Sequence, residues 1–340
     1  MLLDGQQPEA IAQAARVLAQ GELLGLPTET VYGLAADAGN DDAVRKIFAA
    51  KGRPSEHPLI VHVVSADDVP TFAQSVPSFA ARLMQAFWPG PLTLILPRRP
   101  EMAAVAAGGQ ASVGLRCPSH PVAQAVLRAA QTLGVRGVAA PSANLFGRVS
   151  PTTAAHVQHE FGEALCVIDG GMCPVGIEST IVDCTRGAPV LLRPGMLTPE
   201  QLTAACGVEV LTPAQANPER LSGDAPRASG TLASHYAPRA QVCLLSHAEI
   251  EAALLRQPAM AVESKPVLAI WSDPLSRPLP PSILWQALPS EADQCAHDLF
   301  ACLRNFDAHG VSQIWVQTPP QGEAWDGVRD RLLRAATPSR

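Results

Sequence analysis

Apolar positions along the first 210 residues or so recur in two rhythms. Short apolar runs bounded by Gly, Pro and polar residues predict strands at ELLGLP (22–27), LIVHV (59–63), PLTLILP (91–97) and ASVGLR (111–116). Further strands are predicted at GVAAPSAN (137–144, running into a loop), ALCVIDGG (164–171), STIVDC (179–184) and PVLLRPG (189–195). Helical spacing falls between them. The N-terminal stretch reads as a helix with Pro8 in its first turn and Gly21 as its stop. NDDAVRKIFAA opens with Asn40 as an N-cap, and SFAARLMQAFW (78–88), HPVAQAVLRAAQTLG (120–134) and TPEQLTAAC (198–206) follow as helices. HVQHE (156–160) reads as a solvated helix face. The pattern is a mixed α/β domain, with too many strands and too few regular crossovers for a simple doubly wound sheet.

Residues 212–239 break both rhythms. They hold four prolines and two glycines with no apolar periodicity, so they are a linker or a functional lid. Beyond them QVCLLS, PVLAIW and SQIWVQ predict buried strands, and AEIEAALLRQ, EADQCAHDLFACLRNFDAHG and EAWDGVRDRLLRAA predict amphipathic helices. That alternation predicts a small α/β domain of Rossmann-like type.

Composition narrows the class. A chain of 340 residues, 47% hydrophobic and 16% charged, can bury a sizeable core and is long enough for two domains. No apolar run reaches the roughly 18 residues of a membrane span, so no membrane role is expected. The N-terminus carries an early acid and no basic region, unlike a secretory signal. Eight cysteines without a CxxC pair read as reduced, buried thiols of a cytoplasmic protein. No clustered zinc ligands occur. The net charge of −6 argues against a broad nucleic-acid surface. A pocket for a small anion needs only a local cationic cluster.

The candidate chemistry sits in polar clusters at strand ends. GxxxxGK[ST], GxGxxG and GxSxG are all absent. Lysine occurs only at Lys46, Lys51 and Lys265, yet KGRPSEHPLIVHV sets Lys51 and Arg53 in a stiff turn. A compact ammonium beside a planar guanidinium suits the oxygens of a polyphosphate, although a solvated surface loop also accounts for the pair. In APSANLFGRVSPT, Ser142, Asn144 and Ser150 can cradle phosphate oxygens, or can simply satisfy their own turn and cap the helix that follows. Arg116 and Arg193 each end an apolar strand, where each requires an anion, either a ligand or a side chain such as Glu178. His62 inside LIVHV is a core histidine unless its strand end opens on a pocket.

Taken in order, PTETVYGL, KGRPxxxPLIVH, WPGPLTLIL, VGLRCPxHP, PSANxxGxxSPT, GIESTIVD and LRPG resemble the YrdC family. HYAP and the extra α/β domain are similar to its long, two-domain threonylcarbamoyl-AMP synthases. The resemblance covers essentially the whole chain and is strongest from 22 to 196. It implies a YrdC-like catalytic domain (1–211) with a large concave pocket, a linker or lid (212–239) and a Rossmann-like C-terminal domain (240–340). The implied activity joins L-threonine, bicarbonate and ATP into threonylcarbamoyl-AMP and releases pyrophosphate. A downstream threonylcarbamoyl transferase complex then modifies the tRNA adenosine beside the anticodon, tRNA itself being touched indirectly or weakly.

The family signature falls on Lys51, Arg53, Ser142 and Asn144 as catalytic residues. Thr30, His62, Arg116 and Ser179 would hold threonine. Lys51, Arg53, His57, Ser112, Ser142, Ser150, Arg193 and Tyr236 would line the nucleotide. Mg²⁺ would enter with ATP on its phosphates, with no protein-bound metal. Three positions depart from the family's usual residues: His57 for asparagine, Ser229 for proline before the glycine, and Ser112 for threonine. The alternatives are a carbamoyl-adenylate-forming relative, whose acylphosphatase-like segment and CxxC motifs this chain lacks, and a double-stranded-RNA-binding, translation-associated protein.

Overall fold

The computed structural model describes residues 1–216, 225–256 and 266–338, so 217–224 of the predicted linker lie outside the described residues. The chain divides into two compact units, 1–146 with 150–231 and 147–149 with 232–340.

The first unit opens with β1 (Leu2–Asp4), α1 (Pro8–Ala19), β2 (Leu24–Leu26), β3 (Gly33–Asp37) and α2 (Asp41–Lys51). Asn40 caps α2 as expected, its side chain accepting from the N–H groups of Asp42 and Ala43 at 3.1 and 3.2 Å. Gly52 ends α2 in the left-handed region, φ 62°, a conformation that glycine alone adopts at no steric cost. Next come β4 (Ile60–His62), the short α3 (Val69–Phe72), α4 (Ser78–Phe87), β5 (Leu92–Pro97), β6 (Ser112–Arg116), α5 (Pro121–Thr132) and β7 (Val138–Ala139). The unit closes with α6 (Ala154–Phe161), β8 (Cys166–Asp169), β9 (Thr180–Asp183), β10 (Val190–Arg193) and α7 (Pro199–Cys206). A capping box between Thr198 and Gln201 starts α7.

The ten strands form one mixed sheet in the order β1-β8-β2-β3-β7-β4-β6-β5-β9-β10. Its two halves are covered differently. Around β8, β2 and β3 both faces are apolar: Leu24, Leu26, Ala35 and Ile168 pack with Ala14, Leu18, Val126 and Leu127 of α1 and α5. On the other face Leu34, Ala36 and Val167 join the main core with Val44 and Ile47 of α2. Around β4, β6, β5 and β9 the main core takes one face, through Val61, Val113, Leu115, Leu92, Leu94, Leu96 and Val182. The period of two along each strand turns Ile60, His62, Ser112, Gly114, Arg116, Thr93, Ile95 and Ile181 to the opposite face. Of these, His62, Arg116, Thr93, Ile95 and Ile181 are buried.

The second unit is a four-stranded parallel sheet, β11 (Gln241–Leu245), β12 (Leu268–Ser272), β13 (Ile283–Ala287) and β14 (Gln313–Gln317), in the order β11-β14-β12-β13. Its helices are α8 (His247–Arg256), α9 (Ala292–Ala308) and α10 (Asp326–Ala336). Alternate residues are buried on both faces, Leu268 and Ile270 on one and Ala269 and Trp271 on the other. Gly147–Val149 belong to this unit: Gly147 O accepts the N–H of Ala237 at 2.9 Å, and Val149 O accepts from Arg304.

The predicted strands and helices recur within a residue or three at their ends. The periodicity reading omitted β1, β3, β13 and α3. β1 and α3 are too short to show a period, and β3 is buried on both faces along Gly33–Ala36, so no alternation marks it.

Candidate active site

Strand register assembles the site. β4 runs parallel to β6 with Ile60 opposite Gly114 and His62 opposite Arg116. β5 runs antiparallel to β6, pairing Ile95 with Gly114, and parallel to β9, pairing Thr93 with Ile181. The face away from the main core therefore gathers residues from 60 to 181 into a few neighbouring rows. Pro58, Ile60, Thr93, Ile95, Ser112, Gly114 and Ile181 line a cleft there, with Arg227, Ala228 and Ser229 of the linker also on its wall. The space left is about 20 Å³, room for roughly one water molecule and far from enough for a nucleotide.

At one end lies the C-terminus of α2. Lys51 is buried and its Nζ donates to the carbonyl of Ser142 at 2.6 Å and to that of Asn144. Burial, with the Arg53 charge beside it, pushes the Lys51 amine well below the ordinary lysine range; Glu160 and Glu178 oppose this. The KxR and SxN segments are thus one structure, with Lys51 as the tie. Phe146 N–H closes it by donating to Lys51 O at 2.9 Å. Arg53 donates through Nη2 to Pro58 O at 3.0 Å and to Ser229 Oγ at 3.4 Å. Its guanidinium lies 5.8 Å from the centre of the Phe146 ring, against whose edge His57 also packs at 5.5 Å. Burial first and then the Arg53 charge hold the His57 imidazole below its usual range.

At the other end Arg116 and Glu29 form a buried ion pair, Nη2 to Oε1 at 2.8 Å. Arg116 Nε donates to Gly90 O at 3.3 Å. His62 stands beside this pair, and burial, then the Arg116 charge, depresses its imidazole to about 3. It is neutral at ordinary pH. Thr30 is fully buried with its hydroxyl 2.9 Å from that of Thr28. Between the two ends, Ser179 Oγ meets Thr93 Oγ1 at 2.7 Å, and Arg193 donates to the carbonyl and hydroxyl of Ser179. Arg193 also donates through Nη1 to Ser229 O at 2.9 Å. Ser150 donates to Glu178. The side-chain partner of Arg116 is thus Glu29.

Two family models match this chain. The one described as Telomere recombination, for the Sua5, YciO and YrdC proteins, matches residues 16–195. The chain belongs to the Sua5–YciO–YrdC family. The model of the threonylcarbamoyl-AMP synthase C-terminal domain matches residues 197–337, so the long, two-domain form of the family is the one present. Threonylcarbamoyl-AMP synthase of Pyrococcus abyssi is 37% identical over 330 residues, which are 95% of this chain and 93% of that protein. The Bacillus subtilis enzyme of the same name is 36% identical over 337 residues, 96% of this chain and 92% of that one. The crystal structure of P. abyssi Sua5 complexed with L-threonine matches with a TM-score of 0.86 at 33% identity, covering 99% of this chain and 97% of that one.

Of the residues that the YrdC resemblance singled out, Lys51, Ser142 and Asn144 meet directly, as do Ser179 and Arg193, and His62 stands opposite Arg116. Ser112 lines the cleft. Tyr236 belongs to the second unit, buried 5.3 Å from the Phe300 ring and 5.5 Å from the Arg331 guanidinium. The sequence reading missed Glu29, Thr93 and Phe146. Glu29 and Phe146 fall inside quoted motifs, so only the meaning of their chemistry was lost; Thr93 in an apolar strand carries no signal of its own.

Proposed function

We infer that this chain is a threonylcarbamoyl-AMP synthase, acting in the threonylcarbamoyladenosine modification of tRNA next to the anticodon. What carries the reading is the direct joining of the KxR and SxN segments by Lys51, in a chain similar over its length to such synthases.

The reaction needs no enzyme nucleophile. Threonine's amine, once its ammonium has lost a proton, attacks bicarbonate, giving a carbamate and water. A carbamate oxygen then attacks the α-phosphorus of ATP, the bond to the β-phosphate oxygen breaks, and pyrophosphate leaves. The protein's work is positioning and charge stabilisation. Thr30, His62, Arg116 and Ser179 hold threonine. Arg53 and Arg193, with Lys51 behind the SxN loop, face the phosphates, while His57, Ser112, Ser142, Asn144 and Ser150 line the rest of the nucleotide. Burial pushes the Cys117 thiol up to about 11 and that of Cys295 up to about 12, the reverse of an activated nucleophile.

A metal would enter with the substrate, as Mg²⁺ on ATP. Among the described residues no group of three or more His, Cys, Asp or Glu side chains could hold an ion. The nearby carboxylates Glu29 and Glu178 already serve Arg116 and Ser150. Mg²⁺ arrives on the ATP phosphates and neutralises part of their charge. The strand of linker at 227–229 bonds to Arg53 and Arg193, and Arg227 adds bonds to Gln110 and Gly108. It lifts to admit MgATP and returns to keep water from the acyl-phosphate anhydride. No described helix is long and apolar enough to cross a membrane.

The test is pyrophosphate release from ATP and bicarbonate with and without L-threonine. Release is expected only with threonine. Equal release in its absence overturns the reading and favours the carbamoyl-adenylate-forming alternative.

A further inference from the structure

Three buried atoms at one end of the site lack an aligned hydrogen bond: Glu29 Oε1, Arg116 Nη2 and His62 Nδ1. They belong together. Glu29 and Arg116 are ion-paired with side chains 5% and 4% exposed, and His62 lies opposite Arg116 in the β4–β6 register. Buried polar atoms are nearly always satisfied in native proteins, and a buried ion pair is costly to desolvate. A buried pair kept in this place, with the His62 ring beside it, suits a ligand that carries charges of its own.

The chemistry of the three is complementary. A carboxylate accepts only, a guanidinium donates only, and a neutral imidazole does one of each. Arg116 alone would suit any carboxylic acid. With Glu29 beside it the pair is neutral, so a lone carboxylate would leave a net negative charge in a buried place. A molecule with a carboxylate and an ammonium a bond or two apart adds no net charge and answers both. We propose that Glu29 reads the substrate's α-ammonium, so that Glu29 and Arg116 together select an amino-acid zwitterion over other small carboxylic acids. Glu29 is itself held in place, Oε2 accepting the N–H of Ser119 at 3.1 Å and its carbonyl accepting the N–H of Val175 at 2.8 Å. The proposal rests on the threonine reading above and makes Glu29 a specificity residue within it.

Calorimetric titration of the full chain with L-threonine and with 2,3-dihydroxybutanoate, which has a hydroxyl in place of the ammonium, tests it. The unsubstituted protein is expected to prefer threonine by about 100-fold. In Glu29→Gln threonine binding weakens by about 10- to 100-fold while the dihydroxy acid changes by less than about 3-fold, so the preference collapses. Equal weakening of both acids would mean that Glu29 only orients Arg116, and the proposal falls. Glu29→Asp, which keeps the charge, covers a folding failure of the first variant: it retains a clear preference for threonine, and its losing that preference also overturns the proposal. If the unsubstituted protein binds neither acid and releases pyrophosphate without threonine, the functional reading itself has failed.

Discussion

In the first unit the sheet half built from β4, β6, β5 and β9 turns charged and hydroxyl side chains inward, whereas the parallel strands of the second unit turn apolar side chains to both faces. The first unit buries Glu29, Lys51, Arg53, His62, Arg116, Ser150, Glu178, Ser179 and Arg193 among others. In the second, the buried polar residues among those described are His235, Ser272 and Arg331. Burying polarity costs free energy, and a sheet face covered by helices gives no reason to do it. The difference marks the first unit as the one that buries most of the polar side chains.

The largest expected effect comes from Arg116→Ala. Removing one partner of the buried pair strands the Glu29 carboxylate, so denaturant unfolding should show a loss of about 3–5 kcal/mol. Threonine-dependent pyrophosphate release should vanish with it. Unaltered stability would mean that the pair is solvated and the contrast between the units overstated. Trp271→Ala, in the fully buried centre of the second sheet, should cost that unit about 3–5 kcal/mol through the cavity it leaves. The affinity for threonine should stay the same; a large fall would show that the second unit shapes the amino-acid subsite.

A smaller effect tests the polar face by pH. The folded imidazole of His62 is depressed to about 3 from an ordinary 6.5, so below 6.5 the unfolded chain takes up a proton that the folded one refuses. Stability therefore falls as pH drops from 6.5 toward 3, by at most about 1.4 kcal/mol per pH unit. In His62→Gln the slope of unfolding free energy against pH should flatten over that window. An unchanged slope would place His62 in contact with water.

Much of this was legible in the residues. Asn40 as a cap, Gly52 as a stop and the strands from LIVHV to PVLLRPG follow from local chemistry, because caps and periods depend on neighbours in sequence. KxR and SxN were legible as site segments by their order. Their geometry was not. Motif order does not show that the Lys51 amine ties down the carbonyls of Ser142 and Asn144, 91 and 93 positions away. Arg116 was expected to meet a ligand or Glu178; it meets Glu29.

By itself, then, the sequence determined the elements, the two-part organisation and the family, since these rest on periodicity, turn chemistry and motif order. Only the tertiary structure decided which polar side chains share a space. Non-consecutive strands such as β4, β6 and β5 lie side by side, and their register, not their sequence separation, sets who meets whom. A one-residue slip in any of them would turn His62 or Arg116 from the face away from the main core into that core. The burial of the rest of the sheet forbids that slip, and so fixes the site.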